Sequence, residues 1–497
     1  MTDNQSDSNP EVHALRGPDL RRALFLTTLA WVFGSVWLTA TSGAPLTLFA
    51  KGLGASNFQI GLLAALPFIA SLASLPASLL IDRTGARKMI FLCGLYAQRF
   101  MWFPIAIVPP WLLHVYGADG APLAMTLFLV MVLLMHTGQA VGGPAWVSWM
   151  ADVVPDRSRG KYFSRRRQWG ILSAVPTALL VGWLLDRHVA GAGGSGDVVV
   201  TLTTMIWISG VFMVAAVFGT LDIALFHGVK EVRAARRFHQ PLRKLIGKPL
   251  RDRQFLWFAG FVGTMIFAIG PIGHFITLYL IDKVKVNTLQ TQLILLAVPG
   301  LAQLLVLPVW GKLIDRYGRK PALVIASLGL VPVGLGWCLM NSGAVWLGYV
   351  LAVLGAALWV GVEVANFNLT LEMSGLADAD DEGGSAYVAV NSVIINVAGL
   401  AGGLTWGLIA QGLKDWSWDA GVSWLSPFSF YEVLFLLSAV IRLLAVVIFL
   451  PHLHEPKARP TREALRFMTA NIYNNLFNAV MQPVRFITNR RDETYRE

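Results

Sequence analysis

Gly311-Lys-Leu-Ile-Asp315-Arg316-Tyr-Gly318-Arg319-Lys320-Pro321 is a charged turn set between two long apolar runs. An earlier stretch, Asp82-Arg83-Thr-Gly85-Ala-Arg87-Lys88, repeats its order of acid, base, glycine and paired bases, with Asp82 and Asp315 separated by 233 residues and Ser78 standing where the second copy has Gly311. The acid closes one apolar helix, the glycine supplies the reverse turn, and the bases beyond it hold the loop on the positive side of a bilayer. A second correspondence precedes each turn: Pro67 and Pro76 in the first copy, Pro299 and Pro308 in the second, each pair nine residues apart.

Working outward, the chain of 497 residues is 55% hydrophobic and 14% charged, with a mean hydropathy of +0.58. That is more apolar sequence than a water-soluble core encloses, so a polytopic membrane protein is expected. A bilayer core of roughly 30 Å takes about 20 apolar residues as helix. Twelve such runs lie near 22–50, 57–81, 89–113, 122–150, 168–187, 198–226, 255–281, 290–314, 321–340, 344–371, 386–410 and 428–450. In lipid every backbone group needs an internal partner, which makes these runs helices. Of the 40 Lys and Arg, 33 fall in the two tails and in the loops after even-numbered spans, and 5 on the other side. Both termini are therefore expected in the cytoplasm. The same distribution explains the net charge of +11 without nucleic acid. Cys93 and Cys338 sit inside apolar runs and read as packing residues. The polar N-terminus lacks a cleavable-signal pattern, so the first span is expected to direct insertion. The longest connection, rich in bases, divides the chain into a tail 1–21, a six-helix half 22–226, a basic linker 227–254, a second half 255–450 and a tail 451–497.

The pattern G-x-x-x-D-R-x-G-R-K between the second and third spans of each half resembles the signature loop of the major facilitator superfamily of secondary transporters. Ala151-Asp152-Val-Val-Pro155-Asp156-Arg157-Ser-Arg159-Gly160-Lys161 resembles the family's loop after span 4. His136-Thr-Gly-Gln139-Ala-Val-Gly142 resembles its R-x-x-Q-G-x-G motif, with histidine in the arginine's place and Ala140 in a glycine's. The resemblance covers about residues 22–450. It implies an all-α fold of twelve transmembrane helices in two six-helix pseudo-repeat halves, and alternating access of a solute to a site between them near mid-bilayer. It also implies a gating role for Asp82 and Asp315, with Arg83, Arg87, Lys88, Arg316, Arg319 and Lys320 anchoring the loops and Gly85, Gly311 and Gly318 in the turn pattern; alternatively the bases only set topology. Span 5 lacks the glycine-rich motif of drug–proton antiporters, and the end of span 6 lacks the Pro-Glu-Ser-Pro-Arg of sugar porters. Neither substrate class is supported.

Ionisable groups inside spans are costly to bury unless paired or functional. Glu363 reads as the carboxylate placed deep within a span, with Asp186, Asp222 and Glu432 nearer helix ends. It shares a helical face with Trp359, Asn366 and Thr370, and is the first candidate for proton coupling; the alternative is a glutamate tied to Arg442 or Arg99. His136 and Gln139 in span 4 are candidates for coupling or for interhelical hydrogen bonds. Trp31, Ser35 and Thr39 in span 1, His274 in span 7 and Asn391 in span 11 complete the substrate candidates, a set suited to a neutral or zwitterionic solute. Arginines 99 and 442 lie in spans 3 and 12, which the resemblance places outside the cavity. The acidic stretch Asp378 to Glu382 after span 10 faces, as a hypothesis, the basic Arg165-Arg166-Arg167 of the first half.

In the tail, apolar residues recur at helical spacing from Thr461 to about Met481, which reads as an amphipathic helix against either the inner headgroups or the protein's own loops. Only His452 and His454 suggest metal, without a ligand set. The expectation is a monomeric, proton-coupled transporter rather than an enzyme, with no catalytic residues, cofactor, metal or nucleic acid. Its expected partners are a small-molecule solute, protons and the lipid bilayer, in a bacterial cytoplasmic membrane. A facilitated uniporter, or a membrane sensor or scaffold on the same fold, are the alternatives.

Overall fold

The computed structural model describes residues 15, 17–189, 199–231, 247–378, 385–419, 421, 426–456 and 458–470. Among them, eleven apolar helical stretches are long enough to cross a bilayer. One of these, Arg87–Val153, runs for 67 residues, far beyond the roughly 20 that a crossing needs. It folds back at the 3₁₀ turn Gly117–Gly120, where Gly117 takes φ 57°. Its two arms then pack glycine on glycine: a Cβ at Gly94 would lie 2.7 Å from Gly138 O. Counting these arms as spans 3 and 4 accommodates the twelve crossings expected.

Span 1 comprises Gly17–Thr41 and Ala44–Gly52, broken at Ser42 and Gly43. Span 2 is Asn57–Ile81, span 5 Tyr162–Asp186 and span 6 Leu202–Gly228. Span 7, Arg253–Lys283, is interrupted by the 3₁₀ turn Gly270–Ile272 and closes in π-helix at Tyr279–Lys283. Span 8 is Thr288–Tyr317, span 9 Arg319–Trp337, span 10 Val345–Ser374, span 11 Tyr387–Gly412 and span 12 Phe430–His452. A short antiparallel pairing of Ser417–Trp418 with Phe428–Ser429 precedes span 12.

The chain clusters into two compact units. One is built from the described residues of Met1–Thr41, Ile69–Thr177 and Ile206–His239, around Phe91, Trp149, Ile223 and Phe226. The other is built from Ser42–Phe68, Ala178–Met205 and Gln240–Glu497, around Phe255, Phe258, Trp310, Leu330 and Leu369. The second unit thus contains the ends of spans 1, 2, 5 and 6 that lie away from the charged turns, here called the outer ends, together with spans 7–12. Beyond span 12, the helix Thr461–Ala470 buries Ala464 in that unit's core, with Phe467 and Met468 against it. The described part of the tail therefore packs on the protein itself; residues 471–481 lie outside the described residues.

Candidate functional site

The two charged turns are built alike. Gly85 takes φ 68° and donates its N–H to Ile81 O at 2.8 Å; Gly318 takes φ 101° and donates to Ile314 O at 2.9 Å. Arg87, 3% exposed, pairs with Asp152 at the end of span 4 at 2.7 Å and donates to Ser148 O at 2.9 Å. Arg319 pairs with Glu372 at the end of span 10. Lys88 Nζ donates to the carbonyls of His227 and Val229 after span 6, at 2.9 and 2.7 Å. Lys320 Nζ donates to those of Pro451 and Leu453 after span 12, at 3.5 and 2.7 Å. Glu231 accepts from Lys88 N at 3.0 Å, and Glu455 from Arg319 N and Lys320 N at 3.0 and 2.7 Å. Each helix after the turn is thus capped by a carboxylate at its positive end. Sequence reading picks out the bases but not these four acids as their partners, which are 53 to 143 residues away. Arg83, Asp315 and Arg316 are exposed, and Gly311 has open space where a side chain would be. The side chain of Asp82 lies outside the described residues, as do Asp380, Asp381 and Glu382 of the acidic stretch.

Inside the first unit, Arg99 of span 3 and Asp222 of span 6 form a buried pair at 2.9 Å, 6% and 5% exposed. Asp222 stands in the last turn of the helix Leu202–Leu225, near a helix end as expected, and is nonetheless buried. Arg99 also donates to Gln98 at 2.7 Å and lies 3.4 Å over the Trp37 ring, while Gln98 Nε2 donates to Gln139 Oε1 at 3.1 Å. Gln139 is thereby tied into an interhelical network, with half-buried His136 one turn before it. Trp31 and Ser35 pack on span 5, where a Cβ at Gly170 would lie 2.8 Å from Ser35 Oγ, and Thr39 is buried. Arg166, read from sequence as part of a cytoplasmic basic run, is half-buried between Trp31 and Trp146, its guanidinium 4.5 and 4.9 Å from their rings. These span-1 candidates are therefore engaged in packing.

The second unit holds a cavity of about 430 Å³. Both helix breaks line it, through Ser42 and Gly43 of span 1 and Ile272, Gly273 and His274 of span 7; further walls come from Gln303, Trp337, Trp359 and Arg442. Broken helices at a cavity are a recurring way to turn backbone toward a solute. His274 Nδ1 lies 2.8 Å from Thr47 Oγ1. Arg442 of span 12 belongs to this wall as well. Glu363 is one turn beyond Trp359 on the same face and accepts its indole N–H at 2.7 Å. It is exposed rather than buried, and pairs with neither arginine. Asn366 follows, its Oδ1 buried without a partner; Thr370 then accepts from Asn391 Nδ2 at 3.3 Å. Trp359 with Glu363 and Thr370 with Asn391 are thus two bonded pairs along spans 10 and 11, and His274 lies in the cavity that Trp359 lines.

At the outer end the same unit is sealed by contacts between segments far apart in sequence. Lys51 pairs with Asp282, Asn57 Nδ2 donates to Ala410 O at 3.1 Å, and Asp186 accepts from Thr288 N and, at 3.1 Å, Leu289 N at the start of span 8. Spans 2 and 11 meet through Gly61, Gly403 and Gly407, so closely that a Cβ at Gly407 would lie 3.0 Å from Gly61 Cα. Small residues permit this approach between membrane helices.

The sequence model of the Major Facilitator Superfamily matches residues 24–403. No curated protein shows significant sequence similarity to the chain. Among solved structures, the partially occluded inward-open xylose transporter XylE from E. coli is similar at 15% identity, covering 89% of this chain and 100% of that one, with a TM-score of 0.59. The nucleoside transporter NupG is similar at 12% identity over 88% and 99% of the two chains, TM-score 0.54. A bacterial homologue of the iron transporter ferroportin in its inward-facing state is similar at 14% identity over 87% and 98%, TM-score 0.56.

Proposed function

Because the chain belongs to the major facilitator superfamily, we propose that it is a secondary active transporter moving a small organic solute by alternating access between its two six-span halves, with proton coupling. The observation that carries this reading is the pairing of a cavity lined by the breaks of spans 1 and 7 with a seal over the outer ends of spans 1, 2, 5, 7, 8 and 11. Opening to the outside requires those contacts to part. The charged turns are the inner gate elements, each clamped by its own carboxylates. Glu363 is the coupling residue. It stands in mid-span and bonds to Trp359, so its charge bears on the cavity wall that Trp359 lines. His136 and Gln139 support the buried network of the first half.

The test is proton flux in proteoliposomes against a panel of small organic compounds, comparing the native chain with Glu363→Gln and His136→Ala. Solute-dependent proton movement that Glu363→Gln abolishes while binding persists is the expected result. Equal coupled flux without Glu363 overturns its role, and binding without flux of any compound favours a sensor on the same fold.

A further inference from the structure

We propose that the cavity of the second unit is an organic-anion site, in which the guanidinium of Arg442 holds a carboxylate and the apolar walls hold the rest of the molecule. Arg442 is 3% exposed and lines the cavity. Its one hydrogen bond among the described residues runs to Leu330 O at 3.5 Å, and its buried Nε has no partner. A guanidinium carries five N–H donors and stays charged at any physiological pH; here the Nε–H is buried unmet, and no carboxylate among the described residues pairs with the charge.

The acids of the second unit named here are bonded elsewhere, and none of them lines the cavity. Glu432 pairs with Lys283, Asp282 with Lys51, and Glu372 and Glu455 with Arg319. Asp252 accepts from the Tyr387 hydroxyl and caps span 7. Glu363 accepts from Trp359.

Nor is Arg442 one side of a structural pair. The clamps set the register of the two halves: Arg87 answers to Arg319, 232 residues on, and Glu231 to Glu455, 224 residues on. In that register the buried pair Arg99 and Asp222 becomes Val331 and Val446. The second half has dropped the ion pair and placed an arginine at a different position, against a cavity. An unpaired buried cation is a heavy cost, and a ligand anion removes it.

The chemistry of the walls narrows the ligand. Arg442 is the one lysine or arginine among the residues that line the cavity, with His274 the one histidine, so one negative charge is favoured over the two of a phosphate monoester. Trp337 and Trp359, with Ile272, Leu296, Val333 and Ala356, suit an aromatic or aliphatic body. The solute class is therefore an amphipathic monocarboxylate, which differs from the neutral or zwitterionic solute expected from sequence. As a substrate assignment this rests on the transporter reading, whereas the site itself does not.

The experiment measures binding to the purified full-length protein by calorimetry. The probes are benzoate, 3-phenylpropanoate and indole-3-acetate, each beside its uncharged amide. The expected result is that at least one acid binds about 10- to 100-fold more tightly than its amide, that Arg442→Gln erases this preference while amide binding survives, and that Arg442→Lys retains a weaker preference. The lysine variant keeps the test decisive if the glutamine variant fails to fold. Equal binding of acid and amide to the native protein, a preference that survives Arg442→Gln, or binding of no probe overturns the proposal. Flux of the same probes into proteoliposomes is measured separately: binding with the stated preference but without flux leaves the anion site standing and sinks the transport reading.

Discussion

Replacing Gly403 by alanine tests the outer seal with one methyl group. A Cβ at this position would lie 2.7 Å from Ala65 Cβ and 2.9 Å from both Ala65 N and Gly61 O. Carbon atoms pack at about 3.5–4.0 Å, so the shortfall is roughly 0.8 Å. None of the three atoms belongs to a side chain with a rotamer to give, and Ala65 is fully buried. Spans 2 and 11 must therefore part, at a cost of about 1–3 kcal/mol. That cost falls on the sealed state alone, which shifts the balance toward an outward-open state by roughly 5- to 150-fold. The assay is the rate at which a membrane-impermeant thiol reagent, added outside, labels Ser42→Cys at the cavity wall in a protein with Cys93 and Cys338 replaced. Gly403→Ala raises the rate toward that range. Gly412→Ala, on the same span with nothing within 4 Å of its added Cβ, leaves it unchanged. An unchanged rate in folded Gly403→Ala refutes the assignment of this contact to the seal.

Two further outcomes are expected in thermal melting of the detergent-solubilised protein. Arg99→Met leaves Asp222 buried without its cation and destabilises by about 3–5 kcal/mol, and adding Asp222→Leu recovers most of the loss; no recovery refutes the pair as an isolated electrostatic unit. Glu455→Gln, whose carboxylate is 5% exposed and accepts from two backbone N–H groups, costs about 1–3 kcal/mol. Glu231→Gln, at a solvent-exposed contact, costs under about 1 kcal/mol, and equal losses for the two refute the burial argument.

Much of the architecture was legible because lipid leaves the chain few options. Apolar length dictates crossings, and the turn spacing picks out two turns that are built alike. The span-10 face was legible for the same reason: helical periodicity puts Trp359 and Glu363 together, and they do hydrogen-bond. Periodicity assigns a face, however, and not what that face meets. Arg99 and Arg442 look alike in sequence, each a lone arginine in an apolar run. Only the packing of span 3 on span 6 gives one of them Asp222, from 123 residues away. The acids that clamp the turns, and the escape of Arg166 from its basic run into a tryptophan clasp, were hidden by the same distance.

The strengths of the two kinds of contact match the work asked of each end. At the charged turns the bonds are numerous and confined within one half: Arg87, 3% exposed, with Asp152, Glu455, 5% exposed, on two backbone amides, and the more exposed Arg319 with Glu372. Such clusters hold a half rigid, because breaking one strands a charge that water reaches poorly. At the outer end the ion pair that joins span 1 to span 7, Lys51 with Asp282, is 29% and 28% exposed, so its net value is under about 1 kcal/mol. The neutral Asn57–Ala410 bond beside it contributes about 1 kcal/mol, and the two bonds that Asp186 accepts about 1.5 kcal/mol or more each. Their sum is a few kcal/mol, the size of gap that leaves a minor conformation populated at roughly 0.1–10%. A solute or a proton with a modest preference between states can then move the equilibrium. Were the seal built from clamps like those at the turns, no ligand of the size the cavity admits would open it.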